Sequence, residues 1–205
     1  MNGEKYESAF GMSAQKGILC DAHMHTSFST DSSAPVSSML DCAVARGLKA
    51  VCITDHMDLD FPPQEGEDVS ADPQLFQFDI EEYFRVLLRL KEEYKDRLEV
   101  RIGIELGLQS HLGDRYKELL ARYPFDFVIG SIHLVRGMDP YYGKLFEGRP
   151  DAKAYEEAFE ETLLCIRHNE GFDALGHLDY VVRYGKHQAR EYSYCAFADQ
   201  IDEVL

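Results

Sequence analysis

The chain has 205 residues, 45% of them hydrophobic and 12% aromatic, and a formal charge of −16. That length suits one domain with an ordinary core, and that composition excludes a disordered chain. The acidic balance argues against a nucleic-acid groove made by general basicity and against binding to an anionic membrane surface.

No run is long or apolar enough to span a bilayer. Residues 1–16 are polar, lack the apolar stretch of a secretory signal, and read as a flexible leader. The five cysteines, Cys20, Cys42, Cys52, Cys165 and Cys195, are odd in number and form no CxxC. They read as reduced, mostly buried thiols of a cytoplasmic protein, with Cys20 and Cys52 inside apolar strands.

Gly17 to Cys20 reads as a first strand, and Asp21-Ala22-His23-Met24-His25 follows it. Residues two apart on a strand point the same way. His23 and His25 are therefore expected to project side by side, which suits two imidazoles sharing a metal. Ser32-Ser33-Ala34-Pro35 reads as a helix start with a Ser cap and Pro in the first turn. Val36, Met39, Leu40, Ala43 and Val44 recur at helical spacing, and Gly47 stops the helix. Leu48 to Ile53 is a buried strand ending in Thr54-Asp55-His56. Met57 to Gln77 is acidic, contains prolines and is long for a connection, which favours a functional loop or lid.

Asp79 is placed to cap a helix running to about Lys95, with Tyr83, Leu87, Leu90 and Tyr94 along one face. Glu99 to Leu108 alternates, with Val100, Ile102, Ile104 and Leu106 on one side and Arg101, Gly103 and Glu105 on the other. A short helix over about Leu112 to Tyr123 precedes a strand, Phe125 to Ile132, that ends at His133. Arg136 to Pro150 is a loop, Asp151 opens a helix to about His168, and Asp173 to Gly176 is a short strand ending at His177. Tyr180 to Glu191 is a polar loop holding Arg183, and Tyr192 to Leu205 looks helical. Strands alternating with helices predict βα units and a parallel sheet. Polar residues converging from several strand ends favour a barrel, whose mouth those ends ring. Only five such strands are read, too few to close one.

The candidate ligands are His23, His25, Asp31, His56, Glu105, His133 and His177. Imidazole suits zinc, iron and manganese, and a carboxylate can bridge two ions. The set exceeds what one tetrahedral ion needs, so two or three divalent ions (Zn, Mn or Fe) are expected. Such sites suit hydrolysis at phosphorus, where ions activate the attacking water and hold phosphate oxygens. Glu105 sits on an apolar strand, where a carboxylate is costly unless paired or coordinated. Asp31 doubles as an ordinary helix cap, and Asp55 is expected to orient a ligand from behind. Arg183, six residues past His177, suits a phosphate bidentately, with a surface pair to Asp179 or Glu191 as the plain alternative. Arg136, just after His133, is a weaker phosphate candidate. His111, His168 and His187 lack the strand-end context and read as structural or surface residues.

The order Asp-x-His-x-His-Thr-x-x-Ser-x-Asp, Thr-Asp-His, Gly-x-Glu, Gly-Ser-x-His and Gly-His-x-Asp resembles the polymerase-and-histidinol-phosphatase (PHP) superfamily, from about Ile18 to Leu205. Within it the histidinol-phosphate phosphatase branch is the most similar. The resemblance implies a distorted (β/α)7 TIM-like barrel with a site for up to three metals. His23 and His25 would hold a first ion, and Glu105 would bridge it to a second completed by His133 and His177. Asp31 and His56 would serve a third. Glu105, His133 and His177 are the residues on which catalysis would centre. The family's final Asp-x-His motif does not occur in these residues, so residues 17–205 are expected to form a truncated phosphatase domain, incomplete at the C-terminus and nearly inactive alone. The implied reaction is hydrolysis of L-histidinol phosphate, a small-molecule phosphate ester, with no nucleic-acid or membrane partner. Other phosphoesterase activities of the superfamily, on nucleotides or phosphotyrosine, and a catalytically silent metal-binding module remain the alternatives.

Overall fold

The computed structural model describes residues 19–63, 74–187 and 192–205. The leader and most of the acidic connection after Pro63 lie outside the described residues. The elements alternate as expected: β1 (Cys20–Met24), α1 (Val36–Ala45), β2 (Ala50–Ile53), β3 (His56–Met57), α2 (Ile80–Tyr94), β4 (Glu99–Gly107), α3 (Gly113–Arg122), β5 (Phe127–Ser131), α4 (Asp151–His168), β6 (Ala174–Leu175) and α5 (Ala198–Val204). All strand pairs are parallel, in the order β1-β2-β4-β5-β6, and β3 also pairs with β4.

Several boundaries differ from the sequence reading for local reasons. β1 runs on through His23, because pairing with β2 continues past a bulge between Asp21 and Met24. Bulges of this kind re-aim side chains near functional sites. Cys20 is exposed, not buried, because β1 is an edge strand among the described residues; Cys42 and Cys195 are exposed as well. Pro35 itself is the N-cap of α1, and no side chain caps that end. Asp79 caps α2 as expected, its carboxylate accepting from Glu82 N–H. β3 arises inside a segment read as loop, because His56 and Met57 find backbone partners beside Glu105 and Leu106 on β4. The stretch from Tyr180 is a 3-10 turn to Tyr184, and α5 starts later than expected, after a second such turn.

The sheet is curled. Neighbouring strands lie about 4.8 Å apart, so four steps across a flat sheet would separate β1 from β6 by roughly 19 Å. Side chains stand perpendicular to a sheet and could not close that gap sideways. Yet the rings of His23, on β1, and His177, just past β6, have centroids 6.1 Å apart. The two edges therefore bend toward one another around the concave face, as in a half-barrel.

The helices cover the convex face. α1 and α2 bury Leu40, Tyr83, Leu87 and Leu90 against Val51, Ile53, Val100 and Ile102. α3 and α4 bring Tyr116 and Cys165 against Ile104, Leu106 and Val128. α4 and α5 share a further cluster around Tyr155, Phe159, Phe197 and Ile201. No described helix is long and apolar enough to cross a membrane.

The whole predicted apolar face of α2 is buried, and one polar atom on it is functional to the fold. The Tyr83 hydroxyl reaches Ile53 O and Gly103 O, each at 3.0 Å, and so ties β2 to β4 just below the strand ends. Tyr83→Phe is expected to lower the unfolding free energy by about 1–3 kcal/mol, the cost of leaving buried carbonyls short of a donor. Urea titration of both proteins checks this, and an unmoved midpoint would mean the carbonyls are satisfied without the hydroxyl.

Candidate metal centre

Glu105 is the centre of the concave face. It lies on β4, the central strand of the sheet, and is fully buried. Its Oε2 is 2.9 Å from His23 Nε2, 2.9 Å from His25 Nε2 and 3.1 Å from His56 Nδ1. Its Oε1 is 2.6 Å from Ser131 Oγ, 3.1 Å from His177 Nε2 and 3.3 Å from His133 Nε2. Every candidate histidine ligand thus reaches one carboxylate, His23 and His25 from β1 and its end, the others from β3 and the ends of β5 and β6. Asp31 joins from the loop after β1, with Oδ2 3.0 Å from His25 Nδ1 and 3.6 Å from His56 Nε2.

Two glycines make room for this. A Cβ on Gly107 would sit 1.7 Å from Asp58 Oδ1, and a Cβ on Gly176 would sit 2.1 Å from Ser131 Oγ. Both side chains serve the cluster. Ser131 donates to Glu105, and the Asp58 carboxylate lies 2.9 and 3.1 Å from His133 Nδ1. Neither role was read from the sequence. Ser131 appeared only as part of a motif, and the available signal for Asp58 was its position two residues after His56.

Asp55 works differently from the expectation. Its carboxylate accepts from Thr26 N–H at 2.6 Å, Thr26 Oγ at 2.8 Å and Ser29 Oγ at 2.7 Å, and Ser29 Oγ accepts from His56 N–H at 2.9 Å. It fixes the loop after β1 and the His56 backbone, without touching a histidine ring. Arg136 is a correction. Its backbone N–H meets Glu161, and its guanidinium meets Glu160 at 3.1 Å and Glu157 at 3.3 Å, so it faces α4 instead of the cluster. Arg183 lines the cavity above the histidines, its guanidinium 5.8 Å from the Tyr180 ring centre. His111 lies 3.4 Å from Asp60, and the His168 ring meets Leu164 O, both away from the centre.

The donor set fits divalent ions. Three groups have ligand atoms within 4.8 Å of one another: His23–His25–Glu105, His25–Asp31–His56 and His56–Glu105–His133. His177 stands beside them through its contact with Glu105. A tetrahedral zinc site with bonds near 2.0 Å has ligand–ligand edges of about 3.3 Å. The nitrogens of His23 and His25 are 3.1 Å apart and share Oε2 as a third vertex, close to that spacing. His56 Nδ1 is buried near Oε2 but makes no hydrogen bond among the described residues, so its lone pair suits a cation better than a proton.

The electrostatics agree. Burial pushes the Glu105 carboxyl up, but the imidazoles of His133, His177, His23 and His25 outweigh it and hold it well below the usual carboxylate range. Burial pulls His133 down, yet Asp58 and Glu105 raise it well above an ordinary imidazole. The His56 and His25 imidazoles hold Asp31 below its usual range against burial. For His25, burial lowers the pKa, while Glu105 and Asp31 raise it further, to about 9.

A curled parallel sheet whose strand ends gather imidazoles and carboxylates into touching ligand groups defines a multi-metal centre on a TIM-like α/β scaffold. The PHP domain model matches residues 21–205. A probable histidinol-phosphatase of Clostridium acetobutylicum is 35% identical over 92% of this chain and 68% of its own length. The histidinol-phosphatase of Lactococcus lactis is 32% identical over 90% of this chain and 65% of its own length. The crystal structure of the Lactococcus lactis histidinol phosphate phosphatase, complexed with zinc, L-histidinol and phosphate, superposes with a TM-score of 0.80, covering 91% of this chain and 67% of that one, at 29% identity. The chain belongs to the PHP domain family. It spans about two thirds of the length of the curated relatives it matches.

A raised pKa makes metal binding pH-dependent. His25 keeps its proton below about 9 in the metal-free protein, and an ion needs the neutral ring. Zinc loading is therefore expected to release protons, with apparent affinity rising as pH rises toward about 9. Titration calorimetry in buffers of different protonation enthalpy counts those protons. An affinity flat across that range would show that His25 takes no part.

Proposed function

We propose that this domain is a metal-dependent phosphomonoesterase that hydrolyses L-histidinol phosphate to L-histidinol and phosphate, a step of histidine biosynthesis. The observation that carries this is the buried Glu105 carboxylate ringed by five imidazoles, opening on a cavity of about 720 Å³ with Arg183 on its wall. Relatives named histidinol-phosphatase, and a structural neighbour holding zinc, histidinol and phosphate, support the substrate. A distorted (β/α)7 barrel and a cytoplasmic location belong to the same reading.

In this reading His23, His25 and Glu105 would hold one ion, Glu105, His133 and His177 a second, and Asp31 with His56 a third. Such ions would supply Lewis-acid stabilisation of the phosphate oxygens and lower the pKa of the attacking water. The protein's part is positioning. Asp58 fixes the tautomer and plane of the His133 ring, Ser131 fixes Glu105, and Asp55 fixes the loop carrying His25. Arg183 offers its planar fork to a phosphate oxygen pair from the cavity side.

Two variants test the roles. Glu105→Gln keeps the shape but loses the charge, and a lower metal-to-protein ratio is expected by elemental analysis; an unchanged ratio argues against bridging. Arg183→Ala is expected to cut kcat/KM for histidinol phosphate by about 10- to 100-fold, the worth of one charge-assisted hydrogen bond, with metal content intact. Unaltered kcat/KM would make Arg183 a surface residue.

The substrate itself is tested by assaying histidinol phosphate beside nucleotides and phosphotyrosine, with zinc or manganese added. Turnover confined to the first supports the proposal. Turnover of the others transfers the site to another phosphoesterase activity, and no turnover even with a full-length chain makes the domain a silent metal module.

A further inference from the structure

The turn that carries Arg183 is tied down at both ends. His177 follows β6, and the chain continues through the 3-10 turn Tyr180–Tyr184 to His187. Arg183 lines the cavity from this turn, and its side chain is long and exposed. Such a side chain aims only as well as the backbone beneath it is held. At the start of the turn, Val181 is buried among Tyr155, Phe159, Phe197 and Ile201, on the flank of α4 and α5.

At the far end the tie is Asp151. It opens α4 and is only 2% exposed, although a carboxylate is costly to bury without partners. Its Oδ2 accepts the backbone N–H of His187 at 2.5 Å. Gly185 crosses the same place. A Cβ there would stand 2.0 Å from Tyr155 Oη and 3.0 Å from Asp151 Oδ2, so the backbone lies directly on the start of α4 with no room for a side chain. An acid in the first turn of a helix is ordinary, because the dipole favours it. Burial, and a bond to the backbone just past Arg183, are not part of that ordinary role. Asp151, Tyr155 and Gly185 are not among the residues lining the cavity.

We propose that Asp151 is a positioning residue for Arg183: its carboxylate, buried outside the cavity, pins the end of the turn and so holds the guanidinium where it meets a phosphate. The proposal rests on the phosphatase reading and deepens it. Ordering a loop and a long side chain costs free energy at the moment of binding, and a turn already fixed has met that cost in folding. Val181 fixes one end of the turn in the core, and Asp151 fixes the other through His187 N–H. Arg183 lies between them, so freeing either end lets the guanidinium wander.

The test is a double-mutant cycle on the zinc-loaded protein. Asp151→Ala is expected to lower kcat/KM for histidinol phosphate by about 3- to 10-fold, the worth of one hydrogen bond, mostly through KM and with zinc content intact. Asp151→Asn keeps an oxygen for the His187 N–H and should stay within about 2-fold of wild type. In an Arg183→Ala background, Asp151→Ala should cost nothing further. A merely structural role would lower kcat/KM by the same factor in both backgrounds. That outcome, or no effect of Asp151→Ala on wild type, overturns the proposal. Gly185→Ala lifts the turn off α4 without touching the carboxylate, so it too should act only while Arg183 is present, and it carries the test if Asp151→Ala does not fold. A second readout needs no turnover. Inorganic phosphate, titrated calorimetrically, should bind more weakly to Asp151→Ala than to wild type, and equally to Arg183→Ala and the double variant. If wild type binds phosphate but does not hydrolyse histidinol phosphate, the phosphatase reading falls and the binding cycle alone decides the role of Asp151. If phosphate does not bind, or the two substitutions weaken it independently, the positioning role falls.

Discussion

One buried negative charge organises this molecule. Glu105 sits at zero exposure in the middle of a parallel sheet, where an unpaired carboxylate would cost several kcal/mol or take up a proton. Here the cost is met by imidazoles delivered from β1, β3, β5 and β6. Each of those side chains is short, so the strands that carry them must bend toward β4. The curl of the sheet and the charge at its centre are the same constraint seen at two scales. A flat sheet would leave Glu105 buried with only its nearest neighbours for company.

The same demand explains the distribution of small residues. The inner face of β4 offers Gly103, Glu105 and Gly107, and large side chains beside the carboxylate would exclude either the cations or their supports. Gly107 admits Asp58, which holds His133; Gly176 admits Ser131, which holds Glu105. Stability comes from the other face. There α2 and α3 pack tyrosines and leucines against the outward residues of β2, β4 and β5. Tyr83 and Tyr116 each spend a hydroxyl on strand carbonyls, at Gly103 and Gly107, and so brace β4 on either side of Glu105. The strand is thus polar and cramped within, apolar and clamped without.

Much of this was legible in the sequence because it depends on period two and on strand ends. The alternation from Val100 to Leu106 placed Glu105 on the inner face, and the histidines at strand ends followed from βα order. The helix over Ile80–Tyr94 followed from its cap and its spacing. What escaped depends on distance in space, not along the chain. Asp58 reads as one more acid in an acidic stretch until β3 pairs with β4 and turns it under His133. Arg136 reads as a phosphate ligand by proximity to His133, but its backbone, at φ 52°, turns the side chain onto the acidic flank of α4. Cys20 reads as buried from its apolar neighbours, and only its place on an edge strand exposes it. The rings that line the cavity come from turns far apart in sequence, and no spacing rule joins Phe61 to Tyr141.

The acidity of the whole chain sharpens the role of the centre. At −16 the protein repels a phosphate ester at long range, and salt screens that repulsion beyond about 8 Å. Attraction must therefore be local, desolvated and strong. In the proposed reading it has two sources within the cavity: the divalent ions that the histidine groups would hold and the Arg183 guanidinium on its wall. The carboxylates around the cluster do not weaken this arrangement. Asp31 raises the basicity of His25 and Asp58 that of His133, which would tighten the hold on a cation once the proton has left. In the proposed reading, negative charge in the surroundings and positive charge at the centre are thus complementary parts of one site: the first would secure the ions, and the ions would take the phosphate.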